Sequence, residues 1–261
     1  MRRSRVQFPP RAPKAALLKI VDRAVAKIMN KNFSLLLFGG IVLTLQKYFL
    51  KTLIWLKRSR FGHKLMVVTT VTVQTLNWPR IGFASPSPSF IKRSCIKRNC
   101  YPNATWVETG TYLGETTSFM SKLGTKVFSI EPEPELFLNA KIRLSKHINV
   151  EILNGTSEDV LPNLLPNING DVNFWLDGHY SMGITFKGER DTPIIQELEA
   201  ISKNFSHFDK VCILIDDVRC FNPKIPDYSN YPTIDTLIAW AKKHQLNWHI
   251  EHDIFVAKTT E

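Results

Sequence analysis

Five acidic residues between positions 108 and 217 stand where chemistry is expected, each at or near the end of a short apolar run. They are Glu108, Glu131, Asp177, Asp216 and Asp217. A buried carboxylate without a partner is costly, so carboxylates gathered in one place need hydroxyl groups, cations or a metal ion beside them. Such a group could bind the hydroxyls of a ligand or a hard cation. The alternative for any single acid is that it only caps the turn after its strand.

The elements that would position these acids alternate between strand and helix from residue 89 onward. Strands are predicted over 105–110, 126–132, 148–153, 171–177, 210–217, 246–251 and 253–258. Helices are predicted over 89–100, 116–123, 134–145, 157–165 and 233–244, and a further helix has Thr192 as its N-cap and Pro193 as its first residue. This order favours an α/β fold with a doubly wound, mostly parallel seven-stranded sheet and an antiparallel hairpin at one edge. Ligands of such sheets bind beyond the carboxyl ends of the strands, where the five acids fall.

The segment 108–114 reads as a strand, a turn and the start of a helix, with Gly110 and Gly114 four residues apart. Gly110 permits a tight turn and the close approach of a ligand, and Gly114 lets the helix pack near the strand. The dinucleotide-binding pattern needs a further glycine between them. That glycine is missing, and Glu108 and Glu115 bring negative charge to the place where phosphates would lie. A cationic sulfonium ligand suits this turn better than a dinucleotide does.

Positive charge is confined to the first third of the chain. The 261 residues have a formal net charge of +11, of which residues 1–83 contribute +15 and residues 84–261 contribute −4. The domain predicted over 84–261 is therefore not expected to bind nucleic acid. The four cysteines lack the second pair or histidine cluster of a zinc site, and as free thiols they indicate a reducing, cytoplasmic compartment.

Residues 1–83 are predicted to form a basic, partly apolar helical extension. Residues 15–31 carry apolar side chains at helical spacing, and 33–45 are uncharged but shorter than the roughly 20 residues of a membrane-spanning helix. Peripheral membrane contact through residues 15–60, or packing on the domain, is expected, with membrane insertion as the alternative. The first 14 residues show no core pattern, and Val6-Gln7-Phe8 can be encoded like the T-loop of a transfer-RNA gene. We expect the native start to lie after them.

Four segments in order carry a resemblance to a known family: VETGTYLGETT, VFSIEPEPE, FWLDGHYS and ILIDDVR. They resemble the class I S-adenosylmethionine-dependent methyltransferases, whose fold is Rossmann-like. The chain is especially similar to a largely uncharacterised group of bacterial-type methyltransferase-like proteins, and more distantly to macrocin-type sugar O-methyltransferases. The resemblance covers about residues 86–258 and does not identify the acceptor.

The resemblance implies roles for the residues that match the family's motifs. Glu108, Gly110 and Gly114 would line the methionine part of S-adenosylmethionine, Glu131 would bind the ribose hydroxyls, and Ser157 and Glu158 would lie near the adenine. Asp177, Asp216 and Asp217 match the acids that hold a divalent cation in the macrocin-type enzymes. Three carboxylates, with substrate hydroxyls and water, would suit Mg²⁺.

The sequence departs from the macrocin-type motif at one position. Where those enzymes have Asp-Gly-Asp, with the second Asp as the proposed base, this chain has Asp177-Gly178-His179. A histidine with a pKa near its ordinary value of about 6.5 can take a proton at neutral pH, so His179 is the candidate base. His179 could instead bind the metal or position substrate. Residues 181–192 are expected to form either a substrate lid or a solvated loop.

These observations predict a methyltransferase that uses S-adenosylmethionine, with metal-assisted O-methylation of a hydroxylated small molecule such as a sugar. Asp177 and His179 would be its catalytic residues. A nicotinamide-dependent oxidoreductase remains an alternative, because Glu131 could hold the ribose of either cofactor. A non-catalytic binding module at a membrane is a third hypothesis. A homo-oligomer is also compatible with the sequence.

Overall fold

The structure, a computed structural model, describes residues 71–177 and 192–260. Its helices are α1 (Ser89–Asn99), α2 (Glu115–Met120), α3 (Pro134–Leu144), α4 (Ser157–Leu164), α5 (Ile194–Lys203) and α6 (Ile234–Lys243), and residues 71–77 are helical too. Its strands are β1 (Thr105–Thr109), β2 (Lys126–Glu131), β3 (Val150–Asn154), β4 (Gly170–Leu176), β5 (Phe208–Ile215), β6 (Asn247–Glu251) and β7 (Ile254–Lys258).

The strands form one seven-stranded sheet in the order β3-β2-β1-β4-β5-β7-β6. The pairs among β1 to β5 are parallel, whereas β7 pairs antiparallel with both β5 and β6. The predicted doubly wound, mostly parallel sheet with an antiparallel terminal hairpin is therefore confirmed. The sheet order also places β1 and β4 side by side at its centre, where the direction of winding reverses and ligand crevices form.

Apolar side chains of the central strands pack against helices on both faces of the sheet. Trp106 belongs to the buried cluster of α1 and α2, whereas its neighbour Val107 belongs to the cluster of α4, α5 and α6. Phe174 and Trp175 divide between the two clusters in the same way. This alternation follows from the two-residue period of a strand, and the continuous apolar run of β5 follows from its burial on both faces.

Several predicted helix boundaries differ from the observed ones, mostly by one residue, and two of the differences have a clear physical reason. Helix α2 ends at Met120 instead of residue 123, because the chain turns there and the Leu123 N–H donates to the Met120 carbonyl oxygen at 2.9 Å. Helix α5 begins at Ile194 instead of Pro193. The Thr192 hydroxyl still accepts a hydrogen bond from the first helical N–H, that of Ile194, at 3.3 Å.

Most of the predicted extension, residues 1–70, lies outside the described residues, as does the expected membrane contact through residues 15–60. In the part of the chain that the structure describes, no helix combines the length and apolar character needed to cross a bilayer. Cytoplasmic location and membrane association stay predictions.

Gly114 is required for the packing of α2 against α3. Its φ of +70° lies in the left-handed region, and a Cβ added there would lie 2.8 Å from Cδ1 of Leu144, a buried residue at the end of α3. The close neighbour at Gly114 is a helix, so the packing of its helix near the strand that the sequence predicts stays a prediction.

We expect Gly114→Ala to lower the free energy of unfolding by more than Gly82→Ala does. Gly82 has a similar φ of +67° but no atom within 4 Å of an added Cβ, so its substitution costs only the left-handed strain, roughly 1–2 kcal/mol. Overpacking against Leu144 should add roughly 1–3 kcal/mol. Urea unfolding of both variants measures the difference, and equal losses would show that Leu144 moves aside freely.

Candidate functional site

The carboxyl ends of β1, β4 and β5 lie together, held by backbone hydrogen bonds beyond the strands. The Asp177 N–H donates to the Thr109 carbonyl oxygen at 3.1 Å, and the Asp216 N–H donates to the Leu176 carbonyl oxygen at 3.1 Å. Because parallel strands end at the same edge, these bonds bring the acids that follow β4 and β5 next to the turn after β1. The expected gathering of the five acids is present in this structure.

Glu108 is fully buried behind this edge. Its Oε2 accepts hydrogen bonds from the hydroxyls of Thr117 and Ser129, both at 2.5 Å. Its Oε1 has no hydrogen-bond partner among the described residues. Burial raises the pKa of Glu108 to about 8, and the nearby Asp177 and Glu131 carboxylates add to the effect. A cationic ligand near Oε1 would relieve this penalty, which fits the positive charge of S-adenosylmethionine.

Glu131 is held by the backbone in an orientation suited to a diol. Its Oε2 accepts the Tyr112 N–H at 2.7 Å and its Oε1 accepts the Glu133 N–H at 3.0 Å. Tyr112 has a φ of +47°, so the turn after Gly110 is bent back towards this carboxylate. Burial raises the pKa of Glu131. Each carboxylate oxygen can accept a second hydrogen bond, so two ribose hydroxyls could still be bound.

The turns around Glu131 place the other predicted cofactor residues. Gly110 has a φ of +90°, and its N–H donates to the Ile130 carbonyl oxygen at 3.0 Å. Gly155, just before the predicted adenine residues, donates its N–H to the Glu131 carbonyl oxygen at 3.3 Å. Ser157 is buried at the start of α4, and its hydroxyl lies 3.4 Å from Oε2 of Glu158. Gly110, Glu131 and this turn therefore surround the end of β2.

The three acids predicted to hold a metal do converge. Asp177, Asp216 and Asp217 each offer a carboxylate oxygen, and these oxygens all lie within 4.8 Å of one another. Asp217 has a left-handed φ of +57°, and its N–H donates to Oδ1 of Asp216 at 2.8 Å. Burial, followed by the neighbouring Asp177 carboxylate, raises the pKa of Asp216, and Lys92 opposes this. The cluster therefore needs positive charge.

A lysine supplies that charge. The Nζ of Lys92, on α1, lies 2.5 Å from Oδ2 of Asp216 and 3.0 Å from Oδ1 of Asp217. Burial lowers the pKa of Lys92, but the carboxylates of Asp216, Asp217 and Asp177 outweigh it and hold the pKa above its ordinary value. Lys92 is therefore an ammonium ion. The donor set has the oxygens that Mg²⁺ prefers, but the arrangement does not fit a resident divalent ion because a cation already lies among them.

A depression at the ends of β4 and β5 adjoins the acid cluster. Asp177, Asp216, Asp217 and Glu197 contribute its acidic lining, and Phe221 and Tyr231 contribute aromatic lining. The rings of Phe221 and Tyr231 meet edge to face with centroids 5.6 Å apart. Carboxylates beside aromatic rings suit a ligand that has both hydroxyl groups and apolar C–H faces.

The sequence interpretation missed Glu197 and Lys92. Glu197 is 1% exposed, and its Oε1 has no hydrogen-bond partner within the described ranges. It lies on the same face of α5 as Ile194, Leu198 and Ile201, so a charged residue within an apolar stripe was the available signal. Lys92 had no comparable signal, because α1 carries several basic residues at ordinary spacing.

His179 and most of the predicted lid fall within 178–191, outside the residues that the structure describes. The proposed role of His179 as a base, and the choice between a lid and a solvated loop for residues 181–192, remain predictions. Asp177, the other predicted catalytic residue, is the last described residue before this segment and lines the depression.

Solved structures of other proteins resemble this chain in the course of the backbone. No protein-family model and no curated protein matches the chain. A Streptococcus mutans protein described as a methyltransferase, in complex with SAH, is 14% identical with a TM-score of 0.41, over 66% of this chain and 96% of that one. An rRNA methylase from Streptococcus thermophilus is 15% identical with a TM-score of 0.40, over 67% and 96%. A SAM-dependent methyltransferase from Aquifex aeolicus is 16% identical with a TM-score of 0.43, over 65% and 89%.

Such low identities and scores leave the activity to be argued from the site itself. The fold is decided by the sheet, with β7 antiparallel between β5 and β6 at the end of a parallel, doubly wound set. The chain has the Rossmann-like methyltransferase fold. The expectation that nucleic acid is not a partner stays a prediction.

We expect Glu197→Gln to stabilise the protein at alkaline pH. Burial raises the pKa of Glu197 to about 7, against an ordinary value of 4.5. Below about pH 4.5 the folded and unfolded states are both protonated, so Glu197 costs nothing there. As the pH rises from 4.5 to 7 only the unfolded state loses its proton, and the resulting penalty is constant above that range.

The variant should therefore exceed the wild type by roughly 1–3 kcal/mol in free energy of unfolding at pH 8 and match it near pH 4. Urea unfolding at the two pH values measures this difference. Glu199→Gln, an exposed position on the same helix, is the control and should change little at either pH. A wild type as stable as Glu197→Gln at pH 8 would contradict the predicted penalty.

Proposed function

We propose that this chain transfers the methyl group of S-adenosylmethionine to a hydroxyl oxygen of a small molecule such as a sugar. The proposal rests on the orientation of Glu131, whose two carboxylate oxygens accept hydrogen bonds from backbone N–H groups at the end of β2. A carboxylate at this place can bind both hydroxyls of a ribose. The glycine turn after β1 lies against the same strand end.

The charge of the site favours a sulfonium cofactor over a dinucleotide. One buried oxygen of Glu108 has no hydrogen-bond partner within the part of the chain that the structure describes. Burial raises the pKa of Glu108, and the Asp177 and Glu131 carboxylates add to the rise. A pyrophosphate placed beside the Glu131 and Asp177 carboxylates would be repelled, whereas a positively charged ligand would be attracted. Such a ligand would also favour the ionised form of Glu108, which a pKa of about 8 leaves mostly protonated at neutral pH. The charge of the site therefore favours S-adenosylmethionine over the nicotinamide cofactor, in agreement with the glycine missing from the turn.

The depression next to the acid cluster is the proposed acceptor site. Asp177 and Glu197 can accept hydrogen bonds from substrate hydroxyls, while Phe221 and Tyr231 can pack against the apolar face of a sugar ring. When bound, S-adenosylmethionine supplies a methyl group activated by its positive sulfur. The protein would align an acceptor oxygen with that methyl group and accept the hydroxyl proton. Glu197, with a pKa of about 7, joins His179 as a candidate for the proton acceptor.

We expect the wild type to bind S-adenosylhomocysteine and Glu131→Ala to bind it roughly 10–100-fold more weakly, because two hydrogen bonds to a charged group are lost. Isothermal titration calorimetry measures both affinities. Glu135→Ala, which removes an exposed carboxylate four residues away, should bind like the wild type. Binding of NAD⁺ in place of S-adenosylhomocysteine would favour the oxidoreductase, and binding of neither would leave the non-catalytic module.

The acceptor class can be tested with S-adenosylmethionine that carries a labelled methyl group. We expect label to enter hydroxylated small molecules such as glycosides, and Glu197→Gln to lower the rate at least roughly tenfold because a candidate proton acceptor is lost. Glu199→Gln is the control and should keep the wild-type rate. Label entering ribosomal RNA, and no glycoside, would contradict the proposed acceptor.

A further inference from the structure

The oxygens of the Asp216–Asp217 pair are already bound by protein donors. Oδ2 of Asp216 is bound by Lys92 at 2.5 Å, and Oδ1 of Asp216 accepts the Asp217 N–H at 2.8 Å. Oδ1 of Asp217 accepts hydrogen bonds from Lys92 at 3.0 Å and from Nη1 of Arg219 at 2.6 Å. At least three of the four carboxylate oxygens in this pair therefore have a donor, and at least two of them have a cationic one.

Lys92 and Arg219 are anchored in place by separate elements. Lys92 projects from α1, whose next turn is buried through Cys95 and Ile96, and only 19% of its side chain is exposed. Arg219 is also paired with Asp253, which accepts its backbone N–H at 2.9 Å. Neither cation is a loosely held surface side chain that happens to touch the cluster.

A divalent ion would have to share these oxygens with Lys92. Mg²⁺ binds carboxylate oxygens at about 2.1 Å, so an ion on Oδ2 of Asp216 would lie at most about 4.6 Å from Nζ of Lys92. At such a separation the two cations repel each other strongly in a buried site. The lysine and a metal ion would therefore compete for Oδ2 of Asp216 and Oδ1 of Asp217.

We propose that Lys92 is the resident cation of the Asp177–Asp216–Asp217 cluster and takes the place of a divalent metal ion. Lys92 then acts as a positioning residue: its ammonium group holds Asp216 and Asp217 at the wall of the acceptor depression. The inference that methyl transfer needs no metal ion rests on the proposed function. The inference that Lys92 keeps a metal ion out of the cluster is independent of the proposed function, because it concerns binding alone.

The decisive experiment measures Mn²⁺ binding by electron paramagnetic resonance on the full chain. We expect the wild type to bind no Mn²⁺ at the cluster. Lys92→Met removes the charge of the side chain and keeps its length. This variant should bind one Mn²⁺ per chain, at least tenfold more tightly than the wild type does. Lys97→Met removes an exposed charge from the same helix and should behave like the wild type. The double variant Lys92→Met with Asp216→Asn should lose the gained binding, which assigns it to the cluster.

Two outcomes would overturn the proposal. In the first, the wild type binds one Mn²⁺ as tightly as Lys92→Met does and loses this binding when Asp216 is changed to Asn. In the second, Lys92→Met folds but gains no Mn²⁺ binding. Should Lys92→Met fail to fold, thermal unfolding of the wild type decides. A midpoint that stays unchanged with millimolar Mg²⁺ or with a chelator supports Lys92 as the resident cation. A midpoint that rises with Mg²⁺, and no longer rises in Asp216→Asn, contradicts that proposal.

The requirement for a metal in turnover is a separate measurement. If labelled methyl transfer is observed, a chelator should leave its rate unchanged, and loss of the rate that Mg²⁺ restores would contradict the metal-free site. If S-adenosylhomocysteine does not bind, the proposed function fails. The Mn²⁺ experiment still decides whether Lys92 occupies the cluster.

Discussion

Burial of carboxylates at one edge of a parallel sheet is the constraint on which the rest of this structure depends. Parallel strands end at the same edge, so acids at the ends of β1, β2, β4 and β5 come together where little water is available. Each carboxylate must then be protonated, hydrogen-bonded or paired with a cation. The structure uses a different solution for each, and those differences assign the separate parts of the site.

Glu131 is compensated by backbone N–H groups, which fix its direction but leave capacity for a ligand. Glu108 is compensated only on one oxygen, so its pKa is raised and a cationic ligand would be favoured beside it. Asp216 and Asp217 are compensated by Lys92 and Arg219. Glu197 is buried, and its raised pKa of about 7 suits it to exchange a proton in the proposed reaction. In the proposed function, Glu108 and Glu131 belong to the cofactor site, and Asp216, Asp217 and Glu197 belong to the acceptor site.

The role of the acid cluster depends on which cation neutralises it. In the macrocin-type enzymes, to which the sequence has a distant resemblance, the matching acids hold a divalent ion. Here a lysine from the helix before β1 reaches the same carboxylates. A lysine ammonium balances charge and donates hydrogen bonds, but it cannot coordinate a substrate oxygen as a Lewis acid does. The proton must then pass to a side chain, which is why Glu197 and His179 matter to the proposed reaction.

The sequence by itself determined the order of strands and helices, the doubly wound sheet and the set of acids at its edge, because strand and helix periods are local and parallel strands share one carboxyl edge. Only the tertiary structure decided the partners of those acids. Lys92 is 124 residues from Asp216, and Glu197, on α5, lines the same depression as Asp216 and Asp217. Charge compensation depends on distances between such remote residues, and no local pattern encodes those distances.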